Sequence, residues 1–491
     1  MKNFDVVVIG AGPGGYVAAI KAAQLGLNTA IVEREFLGGV CLNVGCIPSK
    51  AMITAAHWLH KSQHDFATMG FNLKTPVEVD FPKLLSWKNS VSQKMSNGVS
   101  QLLKGNNVTI LKGEAQFKSA TEITVNTAKT EAGAGAPSAA SSETIQSKYF
   151  VIATGSRPIE IPGFKFDEKD ILSSTGALDL NHAPKKIVVI GGGYIGLEIS
   201  SYLRKFGSEV TVVEAQGQLL AGVVDPECAQ VVTRKLVKSG VKVMYNTKAQ
   251  GQKKSKDGYE VTVEANGKQE ILKADKILVT VGRRPNGDQT NLKAAGVTVD
   301  ERGFVKVDGQ RRTNIKNIFA IGDICGQPML AHKASYEGIL VAEVIKGANR
   351  AFDVKTVPAV VFTDPEIASA GLTEAEARAK GFNDLKIAKF PFAANGRAVS
   401  MQETDGFVKM IADAKTHVLL GVHIVGPEAS NLISEAVLAI EMGARLEDLA
   451  LSIHPHPTLG ETMMEAAEAT LGHAIHIIQK PLAGNGKSLH P

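Results

Sequence analysis

The feature that most constrains this chain is a strand, glycine turn, helix and strand that occur in that order twice. Phe4–Ile9 is a short apolar run rich in valine, the pattern of a strand buried on both faces. It runs into Gly10-Ala-Gly12-Pro-Gly14-Gly15, then a helical pattern from about Tyr16 to Leu25, then a second strand at Thr29–Glu33. The order recurs at Lys186–Ile190, Gly191–Gly196, Leu197–Phe206 and Val210–Glu214. Units of this kind open parallel sheets, so the fold class is α/β. Two copies about 180 residues apart suit two separate nucleotide domains rather than a solenoid.

The glycines have distinct tasks. Gly10 permits a tight turn, Gly12 lets the backbone approach a pyrophosphate, and Gly15 lets helix and strand pack closely. The helix N-terminus offers free N–H groups and positive dipole to phosphates. Glu33, ending the next strand, is placed to accept hydrogen bonds from a ribose diol. Gly191, Gly193, Gly196 and Glu214 repeat the arrangement. A carboxylate at Glu214 would repel a 2′-phosphate, and no Arg follows closely to accommodate one, which favours NAD over NADP. Two dinucleotide sites in one chain point to FAD plus a nicotinamide, with hydride passing between them.

Composition bounds the rest. A length of 491 residues suggests about three domains. A net charge of +5 on so long a chain calls for neither a nucleic-acid nor a membrane partner. Glycine and proline interrupt the apolar N-terminal run, unlike a signal peptide, and no stretch reaches the ~18 uninterrupted apolar residues of a span. A cytoplasmic location is expected. Residues 126–147 are rich in Ala, Ser, Gly and Thr and read as a surface excursion between strands Glu122–Val125 and Tyr149–Ala153. Beyond Phe352, strand-like runs at Ala359–Phe362, Phe407–Ile411 and Leu419–Val425 precede a helical run at Leu432–Met442, an α+β unit without a nucleotide fingerprint.

Only four cysteines are present, which excludes a disulfide-scaffolded fold. Cys41 and Cys46 stand five positions apart, directly after the first nucleotide unit. Zinc would need two further ligands, and Cys228 and Cys325 form no second close pair, so no metal is expected. An inert buried pair and a redox-active disulfide remain, and proximity to the flavin unit favours the second. Cys228 and Cys325 read as buried and structural.

Leu37-Gly-Gly-Val-Cys41-Leu-Asn-Val-Gly-Cys46-Ile-Pro-Ser-Lys50 resembles the active-site stretch of the pyridine nucleotide–disulfide oxidoreductases. Its Ile-Pro-Ser-Lys ending resembles the branch that oxidises dihydrolipoyl groups. Ala153–Pro158, Gly191–Glu198, Val281–Pro285, Ala320–Asp323, Pro328–Lys333 and His454–Glu461 match family motifs in order. The resemblance implies a Cys41–Cys46 redox disulfide, with Lys50 near the flavin and paired with Glu198. It implies FAD contacts at Gly10, Gly12, Gly15, Glu33, Lys50, Gly113, Thr154, Gly155, Ser156, Asp323, Met329, Leu330, Ala331 and His332. It implies NAD contacts at Gly191, Gly193, Gly196, Glu198, Glu214 and Gly282.

His456 lies in His-Pro-His-Pro, where prolines stiffen the backbone, and Glu461 could orient its imidazole and raise its basicity. His454 competes for that role; the resemblance selects His456, and a cis bond to Pro457 is expected. The resemblance further implies a homodimer in which His456 and Glu461 serve the other subunit's disulfide. It implies lipoyl domains and the cores of 2-oxo acid dehydrogenase or glycine cleavage complexes as partners. The expected division is 1–149 and 281–350 for FAD, 150–280 for NAD and 351–491 for dimerisation. An NAD(P)H-dependent reductase of glutathione or mercury type is the alternative enzyme. A non-catalytic assembly subunit is the alternative class, but it would be expected to have lost a cysteine, Lys50 or the His456/Glu461 pair.

Overall fold

A computed structural model describes residues 2–127 and 141–479. The N-terminal strand, Lys2–Ile9, sits inside a seven-stranded sheet. It pairs in parallel with Thr29–Glu33 on one side and Ser141–Ile152 on the other. Its carboxyl end is therefore a topological switch point, where open α/β sheets hold ligands. The glycine turn falls there. Thr109–Lys112 extends one edge, and the hairpin Glu114–Ser119/Glu122–Thr127 extends the other. Ile318–Ala320 returns much later in the chain to pair in parallel with Ser141–Ile152.

The second fingerprint opens a parallel five-stranded sheet in the order Lys242–Met244, Glu209–Val213, Lys186–Ile190, Lys276–Val279, Ile171–Leu172. An antiparallel three-stranded sheet, Thr247–Ala274, covers it. The C-terminal unit is a five-stranded antiparallel sheet packed by helices Ala429–Met442 and Glu461–Leu471. Ion pairs tie it to the second unit. Lys409 Nζ lies 2.9 Å from Asp225 and 2.6 Å from Glu227, and Asp364 lies 2.5 Å from Lys205 and 2.9 Å from Lys235.

Several element bounds differ from the sequence reading for clear reasons. The first helix begins at Pro13, not Tyr16, because proline at the first position brings a preset φ and loses no helical hydrogen bond. The strand expected at Tyr149–Ala153 begins at Ser141. Its serines and threonines hide an alternation that buries Ile145 against Ile123, and Thr127 pairs with Ser141. Residues 128–140 of the excursion lie outside the described residues. The helical run Gly39–His64 is long and apolar enough to cross a membrane by length and composition. It is two helices broken at Gly45, and it packs on helices Phe81–Gly105 and Tyr194–Lys205.

Candidate active site

The two glycine turns are built alike. A Cβ on Gly10 would stand 2.4 Å from the Ala153 carbonyl oxygen, and one on Gly15 would stand 1.9 Å from the Gly10 oxygen. Helix and strand thus touch backbone to backbone. At Gly12 no protein atom lies within 4 Å of the same position, and Gly12 lines the central cleft. In the second turn a Cβ on Gly196 would meet the Gly191 oxygen at 2.4 Å, while Gly193 is open. Glu33 accepts from the Ala11 and Glu35 amides at 2.7 and 2.8 Å, and Glu214 from the Gly192 and Gln216 amides at 2.6 and 2.7 Å.

The cleft above the first turn has a volume of about 570 Å³. Gly10, Gly12, Gly15, Glu33, Gly113, Thr154, Gly155, Ser156, Asp323, Met329 and Ala331 line it, as do Cys41, Cys46, Lys50 and Glu198. The Thr154 hydroxyl is buried without a protein partner. An open approach at Gly12, a carboxylate at Glu33 and an orphaned hydroxyl fit a bound dinucleotide flavin. Leu330 and His332 are not among the lining residues. Leu330 caps the helix Ala331–Ile345, and the His332 Nε2 atom lies 2.8 Å from the Pro358 carbonyl. Gly282, at φ 121°, follows the strand Lys276–Val279 near the second turn.

Asp323 sits on the turn Gly322–Cys325 and accepts from the Ser156 hydroxyl at 2.5 Å. That turn is held from behind by Glu337, fully buried, which accepts from the Gly322 amide at 2.7 Å and pairs with Lys333 and Arg311. No short motif marks Glu337; the only local signal is an acid four positions after Lys333, directly before the apolar run Gly338–Ala342 of its helix. Cys228 is buried, but Cys325 is only partly so, its sulfur donating to the Gly322 carbonyl at 3.2 Å. Its place in a polar turn beside Glu337 keeps it from being a simple core thiol.

Cys41 lies on the short helix Gly39–Val44, and Cys46 opens the helix Cys46–His64. Both are free thiols in this structure. The pair is asymmetric. Cys46 is pushed down to about 7, because hydrogen bonding with Cys41 favours its thiolate; desolvation opposes this and the Lys50 charge assists it. Cys41 is pushed well up by its hydrogen bond with Cys46, by burial and by the charge on Cys46. One turn into the helix, Lys50 Nζ donates to Glu198 Oε2 at 2.9 Å, and Glu198 comes from the second fingerprint helix, Tyr194–Lys205. One ion pair thus spans the two nucleotide units. Among the described residues no group of three or more His, Cys, Asp or Glu side chains is placed to hold a metal ion.

His456 and Glu461 stand apart from this cleft, whose lining ends at Ala334. His456 Nδ1 lies 2.8 Å from Glu461 Oε1, and Glu461 Oε2 accepts from the Thr458 amide at 2.8 Å. Burial works against the Glu461 carboxylate, but the Thr458 amide and His456 outweigh it and hold its pKa below the usual range. The His456 ring is 79% exposed, across a cis bond to Pro457. His454 is 11% exposed, and both its ring nitrogens are engaged, with the Ser452 carbonyl and Glu435. Of the two histidines, His456 is the one whose ring faces solvent.

A thiol pair poised between two dinucleotide turns, with a lysine at its base, defines a flavin- and nicotinamide-dependent disulfide oxidoreductase. The profile described as pyridine nucleotide-disulphide oxidoreductase matches residues 4–338, and that of the family's dimerisation domain matches 357–467. The chain belongs to this family. It is 51% identical to a dihydrolipoyl dehydrogenase of Geobacillus stearothermophilus over 97% of this chain and 98% of the relative. It is 50% identical to one of Bacillus subtilis (strain 168), with the same coverage. Among solved structures, LpdA from Mycobacterium tuberculosis matches with a TM-score of 0.84 at 25% identity, covering 96% of this chain and 99% of that one. The HOCl-induced flavoprotein disulfide reductase RclA from Escherichia coli matches with a TM-score of 0.80 at 28% identity, covering 94% and 98%.

Proposed function

We propose that this chain oxidises protein-bound dihydrolipoyl groups and passes the electrons to NAD⁺. The observation that carries the reading is the Cys46 thiol, pushed down to about 7 beside Lys50, in the cleft framed by the first glycine turn. The relatives named dihydrolipoyl dehydrogenase support the substrate class. FAD, when bound in this cleft, supplies the two-electron carrier between the cysteine pair and the nicotinamide. Residues 1–149 and 281–350 hold it in this reading, 150–280 hold NAD, and 351–491 form the dimer.

The chain's own residues do the thiol chemistry. His456 of a second copy, oriented by Glu461, takes a proton from the entering dithiol, because only a thiolate attacks a disulfide. That thiolate attacks Cys41 of the oxidised pair and releases Cys46 as a thiolate. The second substrate thiol then displaces Cys41 from the mixed disulfide, so the substrate leaves oxidised and both cysteines are reduced. The asymmetry of the pair suits this order, since Cys46 is the better leaving thiolate. Lys50, held by Glu198, places positive charge at the floor of the cleft, where negative charge accumulates on reduction. Glu214 selects NAD. The partners in this reading are the lipoyl domains and core of a 2-oxo acid dehydrogenase or glycine cleavage complex, in the cytoplasm.

An anaerobic titration of the flavin-loaded protein tests the reading. Dihydrolipoamide should reduce it by two electrons and NAD⁺ should reoxidise it, with NADP⁺ ineffective at equal concentration. Failure of dihydrolipoamide to reduce it, with NADPH and another disulfide supporting turnover, would establish the alternative reductase instead.

A further inference from the structure

We propose that Phe362 is a positioning residue for the Lys50–Glu198 pair, so that the C-terminal unit sets the charge beneath the flavin within its own chain. The proposal rests on the reading of the cleft as a flavin site. Phe362 follows the edge strand Ala359–Val361 and does not line the cleft; it stands behind it. Its backbone amide donates to Glu198 Oε1 at 3.0 Å. Its ring lies under Lys50, with Nζ 4.2 Å from the ring centroid. One residue thus holds both members of the pair: the carboxylate by a hydrogen bond, the ammonium by the negative face of an aromatic ring.

The segment carrying Phe362 is fixed independently. Thr363, buried, donates to the Pro365 carbonyl at 2.8 Å. Asp364 pairs with Lys205, on the same helix as Glu198, and with Lys235. Residues 362–364 therefore run along that helix and grip it at Glu198 and again at Lys205. With Glu198 Oε1 taken by the amide, Oε2 is left for Lys50. The ring limits where the flexible lysine can settle. A shift of the ammonium toward solvent would weaken its field at the flavin.

The test replaces Phe362 with phenylalanines carrying one, two and three ring fluorines, which weaken the negative face while keeping shape, and with Leu and Tyr. The readout is the two-electron midpoint potential of the bound flavin, with the thiolate–flavin absorbance of the half-reduced enzyme as a second signal. The expected result is a graded shift along the fluorine series toward harder reduction. It should reach threefold to tenfold in the reduction equilibrium for Phe362→Leu, where tenfold is about 30 mV. Phe362→Tyr should stay near the parent. A flat fluorine series would overturn the proposal, whether or not the Leu variant folds. Lys50→Met separates the two ideas. If it shifts the potential and the fluorine series does not, only the role of Phe362 fails; if neither shifts it, the assignment of Lys50 fails.

Discussion

Two substitutions in the same six-residue turn should fail in different ways, because the space around them differs. A Cβ on Gly15 would stand 1.9 Å from the Gly10 carbonyl oxygen and 2.9 Å from its carbon. Both obstacles are backbone, so helix Pro13–Gln24 must retreat by about 1 Å from the strand it packs on. Overpacking of this kind costs about 3 kcal/mol, the upper end of the usual range, since no rotamer relieves it. Gly12 is the opposite case. Its φ of −67° and ψ of −179° suit any residue, and no protein atom lies within 4 Å of the added methyl. Gly12→Ala should change the stability of the flavin-free protein by less than about 0.5 kcal/mol. The methyl would instead occupy the space through which a pyrophosphate approaches. FAD affinity should fall tenfold to a hundredfold, about 1.4 to 2.8 kcal/mol. Urea denaturation of the flavin-free variants measures the first quantity, and fluorescence titration with FAD the second. The reasoning fails if Gly12→Ala binds FAD like the parent, or if it destabilises the empty protein as much as Gly15→Ala does.

The thiol assignments and the shared site give two further tests. Cys46→Ser should keep yellow FAD but lose the long-wavelength thiolate–flavin band on partial reduction. In the parent that band should grow as pH rises through about 7, because deprotonation creates the thiolate; a band that is flat from pH 5 to 9 would contradict the assignment. Mixing His456→Ala and Cys46→Ser chains, each inactive toward dihydrolipoamide as a homodimer, should restore activity. Each mixed dimer then holds one complete site, composed of Cys41 and Cys46 from one chain and His456 from the other. No recovery in verified mixed dimers would place the histidine in the same chain as its disulfide.

What the sequence made legible is what is local. The glycine turns announce themselves because strand, turn, helix and acid follow within about 30 residues. The structure then gives each glycine a steric reason, open at Gly12 and closed at Gly15. Lys50 and Glu198 could be paired only by resemblance, since 148 positions separate them. Phe362 was read as the last residue of a strand, and nothing in its neighbours told of a lysine above its ring. Glu337, likewise, acts through a fold that returns Ile318–Ala320 to the first sheet. His332 shares a motif with Ala331, which lines the cleft, but turns to Pro358, because successive residues on a helix point about 100° apart.

The ion pairs between the C-terminal unit and the second fingerprint unit bear on how this architecture can change. Lys409, 5% exposed, is matched by Asp225 and Glu227, and Asp364 by Lys205 and Lys235. Removing one partner strands the other charge, at a cost of about 3 to 5 kcal/mol where both are buried, as Lys409 and Asp225 are, and less at the partly exposed Asp364 cluster. A chimera that took its C-terminal third from a distant relative would meet two such mismatches at one seam unless acids and lysines travelled together. The units resemble interchangeable modules in sequence, yet this seam makes them heritable only as a set.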